Sequence, residues 1–412
     1  MATPIFPLSS IGLLLIVAVI MAMLTRRVGL PYSTGLVAAG ILVSFMPNRP
    51  QLPLTRELIF DVLLPPLVFE AALQLDWKRF RHELPLTLTL AFVGVIGSSV
   101  FVAVGMHGLL GWSWLGAGLF AVLISATDPV AVIATFKELK GPKRLNMVVE
   151  SESLLNDGVA AVGFAVLAAI ASGAAPTAGQ VIPQFLWSVF GGVLIGGLVA
   201  GAILLVAGRT EDRLVEITLT TIAAWGSFLV AEYYGGSGIL ASLTAGLMIG
   251  NVGWMGAISD SGRPHILAAW DYFAFLANSF VFLLIGIHET RIPLNVLGWA
   301  EAAIAILLVL VGRLITVYPI VGAFGASDLK LPLKYQHVLF WGGLRGALAL
   351  ALALAIPNSV PENVAIIVTA FLVVSFSVFV QGLTIPWFTR KLGLVSEGPG
   401  QSSEKVTARG SD

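Results

Sequence analysis

Apolar runs of about 20 residues follow one another along the whole chain, and this feature constrains the fold more than any other. A helix of that length spans the hydrocarbon core of a bilayer. Charged residues make up only 11% of the 412 residues, whereas soluble domains carry roughly 25%. Alternating segments of about ten residues, which are typical of membrane barrels, are not apparent. The sequence therefore predicts an all-α protein embedded in the lipid bilayer.

Composition also excludes several functions. The formal net charge is +0 and cysteine is absent, so neither a basic surface for nucleic acid nor a thiolate or disulfide chemistry is expected. An intramembrane hydrolase is a remote alternative, because the sequence contains neither a His-Glu-x-x-His nor a Gly-x-Ser-x-Gly motif. A channel is disfavoured because no short filter sequence is repeated. Secondary transport is the class that fits.

Charges, prolines and glycines divide the apolar runs into thirteen predicted transmembrane helices. An odd number suits two inverted repeats of six helices plus one further helix, a plan that many secondary transporters share. The predicted helices lie near residues 8–24, 30–46, 57–74, 84–108, 113–137, 145–172, 181–207, 214–232, 237–252, 265–287, 296–322, 335–356 and 362–388.

Basic residues predict how these helices are oriented. The chain has 23 Lys and Arg residues, and nearly all of them fall in odd-numbered loops or the C-terminal tail. Only Arg49, Arg56 and Arg291 fall in even-numbered loops, while Arg313 and Arg345 lie inside helices. Because positive charge accumulates on the cytoplasmic side, we expect an external N-terminus and a cytoplasmic C-terminus in the cell (inner) membrane.

Two of the predicted helices are interrupted. The fifth contains Asp128 followed by Pro129, which removes a backbone donor and frees carbonyl groups such as that of Thr127. The twelfth is interrupted by the glycines of 342–346. A proline kink without a function would also explain the first break, but broken helices at corresponding places in two halves indicate a binding site at the membrane midplane.

The sixth helix carries several acids where a lipid-facing helix would carry leucine. At 100° per residue, Glu150, Ser153 and Asp157 lie within about 40° of one stripe, whereas Glu152 lies about 140° from Asp157. Intramembrane acids are functional candidates by default. Glu150 is about 10 Å nearer the cytoplasmic end, so it fits an entry funnel, although a solvated interfacial acid is an equally good interpretation.

An arginine at the centre of a membrane helix costs about 2.5–3.5 kcal/mol and needs a partner. Glu152 points away from the proposed site, so we expect it to form a structural ion pair with Arg345. Arg313 is assigned no role in transport, and Asp61, near the outer face, is left without one as well.

Hard oxygen ligands are available at the predicted site, from the carboxylates of Asp157 and Asp128, the side chains of Ser153 or Asn156, and freed backbone carbonyls. Such ligands suit a small alkali cation better than an anion or a transition metal. A proton can replace that cation if the carboxylate titrates near the working pH, which for an aspartate requires removal from water. Glu70 lies inside the third apolar run and could complete the cavity from the opposite side.

Four segments together resemble the NhaP-type sodium/proton antiporters and the eukaryotic sodium/proton exchangers. They occur in the order of that family and span most of the chain. These segments are Phe-Glu-Ala-Ala-Leu at 69–73, Ser-Ala-Thr-Asp-Pro-Val-Ala-Val at 125–132, Glu-Ser-Leu-Leu-Asn-Asp-Gly at 152–158 and Gly-Gly-Leu-Arg-Gly-Ala at 342–347.

The resemblance implies a thirteen-helix, NhaA-like inverted-repeat fold, a homodimer, and a mobile core domain in which the broken helices 5 and 12 cross. The division it implies is as follows: 1–83 and 211–292 form the dimerisation domain, 84–172 and 293–390 the core domain, 173–210 a linker helix, and 391–412 a disordered cytoplasmic tail.

The resemblance also implies roles for the site residues. Na⁺ or Li⁺ would bind at Asp157, Ser153, Thr127 and Glu70, with Asn156 beside the carrier carboxylate, Asp128 at the crossing, and Glu152 with Arg345 as a stabilising pair. No cofactor is implied beyond the transported Na⁺ or Li⁺ and H⁺. Relatives with Asn-Asp at this position exchange one cation for one proton, so electroneutral Na⁺/H⁺ exchange is expected, with K⁺/H⁺ exchange as the alternative.

Overall fold

The structure is a computed structural model that describes residues 8–28, 30–46, 52, 54–139, 141–173, 178–289 and 298–394. Within these ranges every regular element is a helix. The α-helices are α1 (Leu8–Val28), α2 (Tyr32–Ser44), α3 (Leu64–Gln74), α4 (Trp77–Thr89), α5 (Val95–Leu110), α6 (Trp114–Leu123), α7 (Val130–Leu139), α8 (Lys143–Ala171), α9 (Ala178–Ala207), α10 (Arg213–Tyr233), α11 (Gly238–Asn251), α12 (Gly262–Glu289), α13 (Trp299–Ala323), α14 (Leu333–Trp341), α15 (Ala347–Leu354), α16 (Asn363–Phe376) and α17 (Leu383–Lys391).

Short helical segments of other types join some of these helices. Wider π-helical turns occupy Leu58–Leu63 before α3, Leu90–Gly94 between α4 and α5, and Ser377–Gly382 between α16 and α17, and a 3₁₀ turn covers Gly253–Met255. Within the described residues, nine helical segments are long and apolar enough to cross a membrane. The chain is therefore an integral membrane protein, as the sequence predicts. Helices such as α2 and α6 are shorter, so the number thirteen stays a prediction.

The fourth predicted helix begins earlier than the sequence suggests. Asp76 caps α4 by accepting a hydrogen bond from Arg79 N at 2.9 Å, so the helix starts at Trp77 rather than near residue 84. Its first turns are polar, and a hydropathy boundary therefore misses them. The domain boundary predicted between 83 and 84 falls inside this helix. The predicted boundary at 292/293, the loop residues Arg49 and Arg291, and the tail from 395 to 412 lie outside the described residues.

The helices pack as two bundles. In the first bundle, α2 and α1 pack on α12, and α3, α9 and α10 surround α11; in the second, α5 packs on α6 and α13, and α4 and α6 pack on α8. One apolar cluster, around Trp270 and Phe69, joins helices of the first bundle. Another, around Val148 and Val317, joins helices of the second, including α7, α14 and α17. The assignment of these bundles to dimerisation and transport stays a prediction.

Two glycines let α2 and α12 touch at their backbones. A Cβ atom added to Gly40 would lie 3.0 Å from the Cα of Gly286 and 3.1 Å from the amide nitrogen of Ile287. Both distances are shorter than a normal carbon contact, so neither backbone has room for a methyl group. Small residues at such crossings allow the close packing that stabilises membrane helices.

We therefore expect Gly40→Ala to lower the thermal unfolding temperature of the purified protein in detergent, since overpacking costs roughly 1–3 kcal/mol. Gly12→Ala on α1 is the matched control, because no atom lies within 4 Å of the added methyl group. Equal unfolding temperatures for the two variants would show that the α2–α12 contact is not tight.

Candidate functional site

A cavity of about 440 Å³ lies between the two bundles and contains most of the predicted site residues. The second bundle contributes Asp128 from the break after α6, together with Glu150 and Asp157 from α8. The first bundle contributes Glu70 from α3 and Asp271 from α12. Acids from both bundles therefore face one space, and the predicted position of Glu70 opposite the α8 acids is observed.

Both predicted helix breaks are present, and they touch. The fifth predicted helix is divided into α6 and α7, and the twelfth into α14 and α15. Asp128 N in the first break donates a hydrogen bond of 2.8 Å to Leu344 O in the second. The Asp128 carboxylate also accepts from Val130 N at 2.9 Å, so it caps the first turn of α7, where anions are stabilised by the helix dipole.

Glycine is required where the second break approaches its neighbours. A Cβ atom on Gly346 would overlap the Asp128 carboxylate, and one on Gly343 would lie 2.7 Å from Arg313 Nε. Because these two glycines have no side chain, the Asp128 carboxylate and the Arg313 guanidinium can approach the backbone of the second break.

Three predicted ligands form one hydrogen-bonded group at the first break. Asn156 Nδ2 donates to Thr127 Oγ1 at 2.6 Å, and Thr127 N donates to Asn156 Oδ1 at 3.3 Å. Ser153 Oγ donates to the Thr127 carbonyl oxygen. These bonds attach the extended residues of the break to α8 and hold the Thr127 carbonyl beside the cavity.

Asp157 differs from its neighbours because part of its carboxylate is unpaired. Its Oδ1 atom is buried and has no hydrogen-bond partner among the described residues, although the side chain lines the cavity. Its charged neighbours are Asp128, Glu152 and Arg345. An unsatisfied buried carboxylate oxygen costs about 1–3 kcal/mol or more. Such a group is suited to bind a cation or a proton.

The predicted ion pair between Glu152 and Arg345 is wrong. Glu152 instead forms a two-pronged pair with Arg313 of α13, with distances of 2.7 Å from Nη1 to Oε1 and 2.9 Å from Nη2 to Oε2. Arg313 Nη2 also donates to Leu339 O at 3.0 Å. Both partners are buried. A planar guanidinium matches a carboxylate in this geometry better than any other cationic side chain does.

Arg345 is satisfied by backbone rather than by an acid. Its Nη1 atom donates to Ser125 O at 2.8 Å and to Ala126 O at 3.2 Å. These are carbonyls that the end of α6 leaves without helical partners, and the C-terminal end of a helix attracts positive charge. The sequence contained a signal for the true arrangement, because Arg313 also lies in the middle of an apolar helix and needed a partner just as much.

Glu70 and Glu150 occupy opposite walls of the cavity. Gln74 Nε2 donates to Glu70 Oε1 and, at 3.1 Å, to Asp271 Oδ1. Asp271 was missed, although it lies in the apolar stretch 266–276 of α12 and therefore carried the same signal as the acids of α8. Lys137 of α7 lines the same cavity beside Glu150, which agrees with a funnel, although the role of Glu150 stays a prediction. Asp61 lies elsewhere, beside Arg56.

Comparisons with known proteins agree with these motifs. The sequence profile of the family described as sodium/hydrogen exchanger, transmembrane, matches residues 13–391. The chain belongs to this family. Because sodium/hydrogen exchange is a transport reaction, the family consists of transporters rather than enzymes. The resemblance to NhaP-type antiporters is confirmed.

Two antiporter sequences and one solved antiporter structure show how similar the chain is to other proteins of this kind. It is 36% identical to the Na(+)/H(+) antiporter NhaS2 of Synechocystis sp. over 388 residues, which are 94% of this chain and 71% of that protein. It is 36% identical to the Na(+)/H(+) antiporter ApNhaP of Aphanothece halophytica, covering 89% and 71%. Its fold matches that of the sodium proton antiporter MjNhaP1 of Methanocaldococcus jannaschii with a TM-score of 0.77, 17% identity, and coverage of 95% and 98%.

The observed pairing leads to a double-mutant prediction for this family member. Arg313→Met leaves the Glu152 carboxylate buried without a partner, which typically costs about 3–5 kcal/mol, whereas removing both charges is often nearly neutral. We expect Glu152→Leu/Arg313→Met to recover most of the thermal stability that Arg313→Met loses. The control is Glu152→Leu/Arg345→Met, which should recover none of the thermal stability that Arg345→Met alone loses. Recovery in the control alone would support the pairing predicted from sequence.

Proposed function

We propose that the chain exchanges Na⁺ for H⁺ across the membrane, with both ions competing for the carboxylate of Asp157. The observation that carries this proposal is the buried, unpartnered Oδ1 atom of Asp157 on the cavity wall. An oxygen atom that accepts no hydrogen bond from the described residues is free to bind a cation or a proton. Family membership and the names of the relatives support the choice of Na⁺.

The cation would bind among oxygen atoms. Asp157 supplies a carboxylate, Ser153 a hydroxyl whose lone pairs remain available, and Thr127 a carbonyl group held beside the cavity. Glu70 would complete this set from the first bundle when the bundles approach. Asn156 and Asp128 would act indirectly. Asn156 would hold Thr127 in place, and Asp128 would cap α7. Alkali cations favour such uncharged and singly charged oxygen ligands.

The charge of the site supports exchange of one cation for one proton. Three carboxylates, Asp128, Glu152 and Asp157, lie near two guanidinium groups, Arg313 and Arg345. Glu70 is not counted, because it belongs to the first bundle; if the five groups of the second bundle are all ionised, one negative charge remains. One Na⁺ or one H⁺ neutralises that charge, so the loaded site carries no net charge in either form. Transport of the loaded site is therefore electroneutral.

The two bundles would alternate the access of the site by moving relative to each other. We infer the NhaA-like arrangement of thirteen crossings, because α6 with α7 and α14 with α15 can each serve as one broken crossing. If the N-terminus is external and the C-terminus cytoplasmic, the cavity at Glu150 opens on the cytoplasmic side of the cell membrane. A homodimer formed through the first bundle would hold one bundle still while the other moves.

Replacement of the carrier separates function from stability. Asp157→Asn should abolish Na⁺-dependent collapse of an imposed pH gradient in proteoliposomes, because an amide can exchange neither ion. The same variant should unfold at an equal or higher temperature than the wild type, since it removes a buried charge that has no partner. Full exchange activity in Asp157→Asn would disprove the assignment of the carrier. A variant that is inactive and also less stable would indicate a structural role.

Competition gives a second prediction. As the pH falls at the side where Na⁺ is added, protons occupy the carboxylate, so the apparent KM for Na⁺ should rise while the maximal rate stays constant. The measurement is repeated with Li⁺ and K⁺, and, for Na⁺ and Li⁺, with a membrane potential imposed by a K⁺ gradient and valinomycin. A lower maximal rate with unchanged KM would contradict competition, a rate that depends on potential would contradict electroneutral exchange, and a preference for K⁺ would identify a K⁺/H⁺ exchanger.

A further inference from the structure

Acidic groups outnumber cationic groups on the walls of the cavity between the bundles. Five carboxylates and two cationic side chains line it, so three negative charges remain if all of them are ionised. The proposed exchange uses one of these carboxylates as the carrier and gives neither cationic group a role. The carboxylates are those of Glu70, Asp128, Glu150, Asp157 and Asp271, and the cationic groups are those of Arg26 and Lys137.

Lys137 belongs to the face of α7 that borders this cavity. The residues of α7 that line it are Val130, Ile133, Ala134 and Lys137. Their spacing of three, one and three positions is that of a single stripe along a helix. The stripe begins next to Asp128, which caps α7, and reaches Lys137 after about 10 Å of helix. The side chain of Lys137 therefore borders the same space as the carboxylates.

Two carboxylates on different bundles lie within electrostatic reach of Lys137. Glu70 belongs to α3 of the first bundle and Glu150 to α8 of the second, and Lys137 interacts with both of them. The two carboxylates also repel each other across the cavity. Among the described residues, the direct ion pairs are those at Glu83 and Glu152. The exposed Lys137 ammonium is therefore not locked onto either acid.

A lysine ammonium and an alkali cation bind a carboxylate in similar ways. Each carries one positive charge, and the ammonium is a compact point charge at the end of a flexible four-carbon chain. Wherever the ammonium approaches Glu70 or Glu150, it takes an oxygen atom that a cation would otherwise coordinate. Its charge also lowers the concentration of other cations around it. Binding of Lys137 and binding of Na⁺ at these carboxylates therefore oppose each other.

We propose that Lys137 is a tethered cation that competes with the transported ion for the Glu70 and Glu150 carboxylates, and thereby weakens Na⁺ binding and speeds Na⁺ release. This inference rests on the proposed exchange function. Entry of Na⁺ displaces the ammonium from the acids, and departure of Na⁺ lets the ammonium return. The returned ammonium also reduces the repulsion between Glu70 and Glu150, which would otherwise increase if the two bundles approached each other.

Exchange kinetics test the competition in everted membrane vesicles, where added Na⁺ reaches the proposed cytoplasmic side. Lys137→Met should lower the apparent KM for Na⁺ about three- to tenfold, which is the effect of one unit charge at several ångströms. It should also lower the maximal rate, because Na⁺ is released more slowly. Lys137→Arg keeps the charge and should keep the KM close to that of the wild type.

Lys143→Met is the matched control for the loss of one positive charge. Lys143 is an exposed lysine at the start of α8 and lies outside the lining of the cavity. Its replacement should change neither the KM nor the maximal rate. An unchanged or higher KM in Lys137→Met, or an equal decrease in Lys143→Met, would overturn the proposal.

A double-mutant cycle separates competition from other roles of Lys137. Under competition, Glu150→Gln should raise the KM for Na⁺ by a larger factor in the Lys137→Met background than in the wild type, because the carboxylate that it removes is then fully available to Na⁺. Equal factors in both backgrounds would mean that Lys137 acts only through the mean potential of the cavity, and competition would be refuted. A purely structural role predicts a lower maximal rate of Lys137→Met with an unchanged KM.

Na⁺ binding can also be measured without transport, from the rise that Na⁺ causes in the unfolding temperature of the purified protein in detergent. Choline chloride keeps the ionic strength constant. The Na⁺ concentration required for a given rise should be about three- to tenfold lower for Lys137→Met than for the wild type or Lys143→Met. Tighter Na⁺ binding by Lys137→Met in a chain that performs no exchange would uphold the role of Lys137 and refute the proposed function alone. Exchange by the wild type, with equal Na⁺ binding in all three proteins, would refute the role of Lys137 alone.

Discussion

Crossing two interrupted helices inside a bilayer exposes backbone groups that have neither water nor a helical partner, and the structure depends on satisfying them. The carbonyl end of α6 receives Arg345 through Ser125 O and Ala126 O. At the carboxyl end of α14, Arg313 donates a hydrogen bond to Leu339 O at 3.0 Å. The side-chain amide of Gln381 donates another to Trp341 O at 3.1 Å. The amino end of α7 receives the Asp128 carboxylate. Three of the four helix ends at the crossing are thus met by a group of opposite charge or polarity.

This compensation determines which acid is left without a partner. Glu152 is needed to neutralise Arg313, and its Oε1 atom also accepts from Asn156 Nδ2 at 3.1 Å. Asn156 Nδ2 in turn donates a hydrogen bond to Thr127 Oγ1. Asp157, one residue further along α8, keeps one carboxylate oxygen without a hydrogen-bond partner in the described part of the chain. A local violation of the rule that buried polar groups are paired often marks a functional site, and here it falls on the residue that the motif resemblance assigns as the carrier.

The sequence predicts the parts of this site that depend on local chemistry. Pro129 and the glycines at 342–346 determine where the helices break, and helical spacing places Ser153 and Asp157 on one stripe of α8. The partner of Glu152 could not be predicted in the same way, because α8 and α13 are distant in sequence and either buried arginine satisfied the charge rule. Only the packing of α13 beside α14 decides between them. Likewise, the start of α4 follows from an Asp76 cap rather than from hydropathy.

The distribution of bonds bears on how the bundles could move. The hydrogen bonds and the ion pair that hold Asp128, Thr127, Asn156 and Glu152 all lie within the second bundle, and the bonds of Glu70 to Gln74 lie within the first. A displacement of one bundle against the other would break none of them. The pairing of the charges at the crossing would therefore be kept along the motion. The contacts that change lie between the bundles. Most are apolar and can exchange neighbours at little cost because they are not directional, but one buried hydrogen bond, from Thr34 Oγ1 of α2 to Val378 O at 3.0 Å, also joins the bundles.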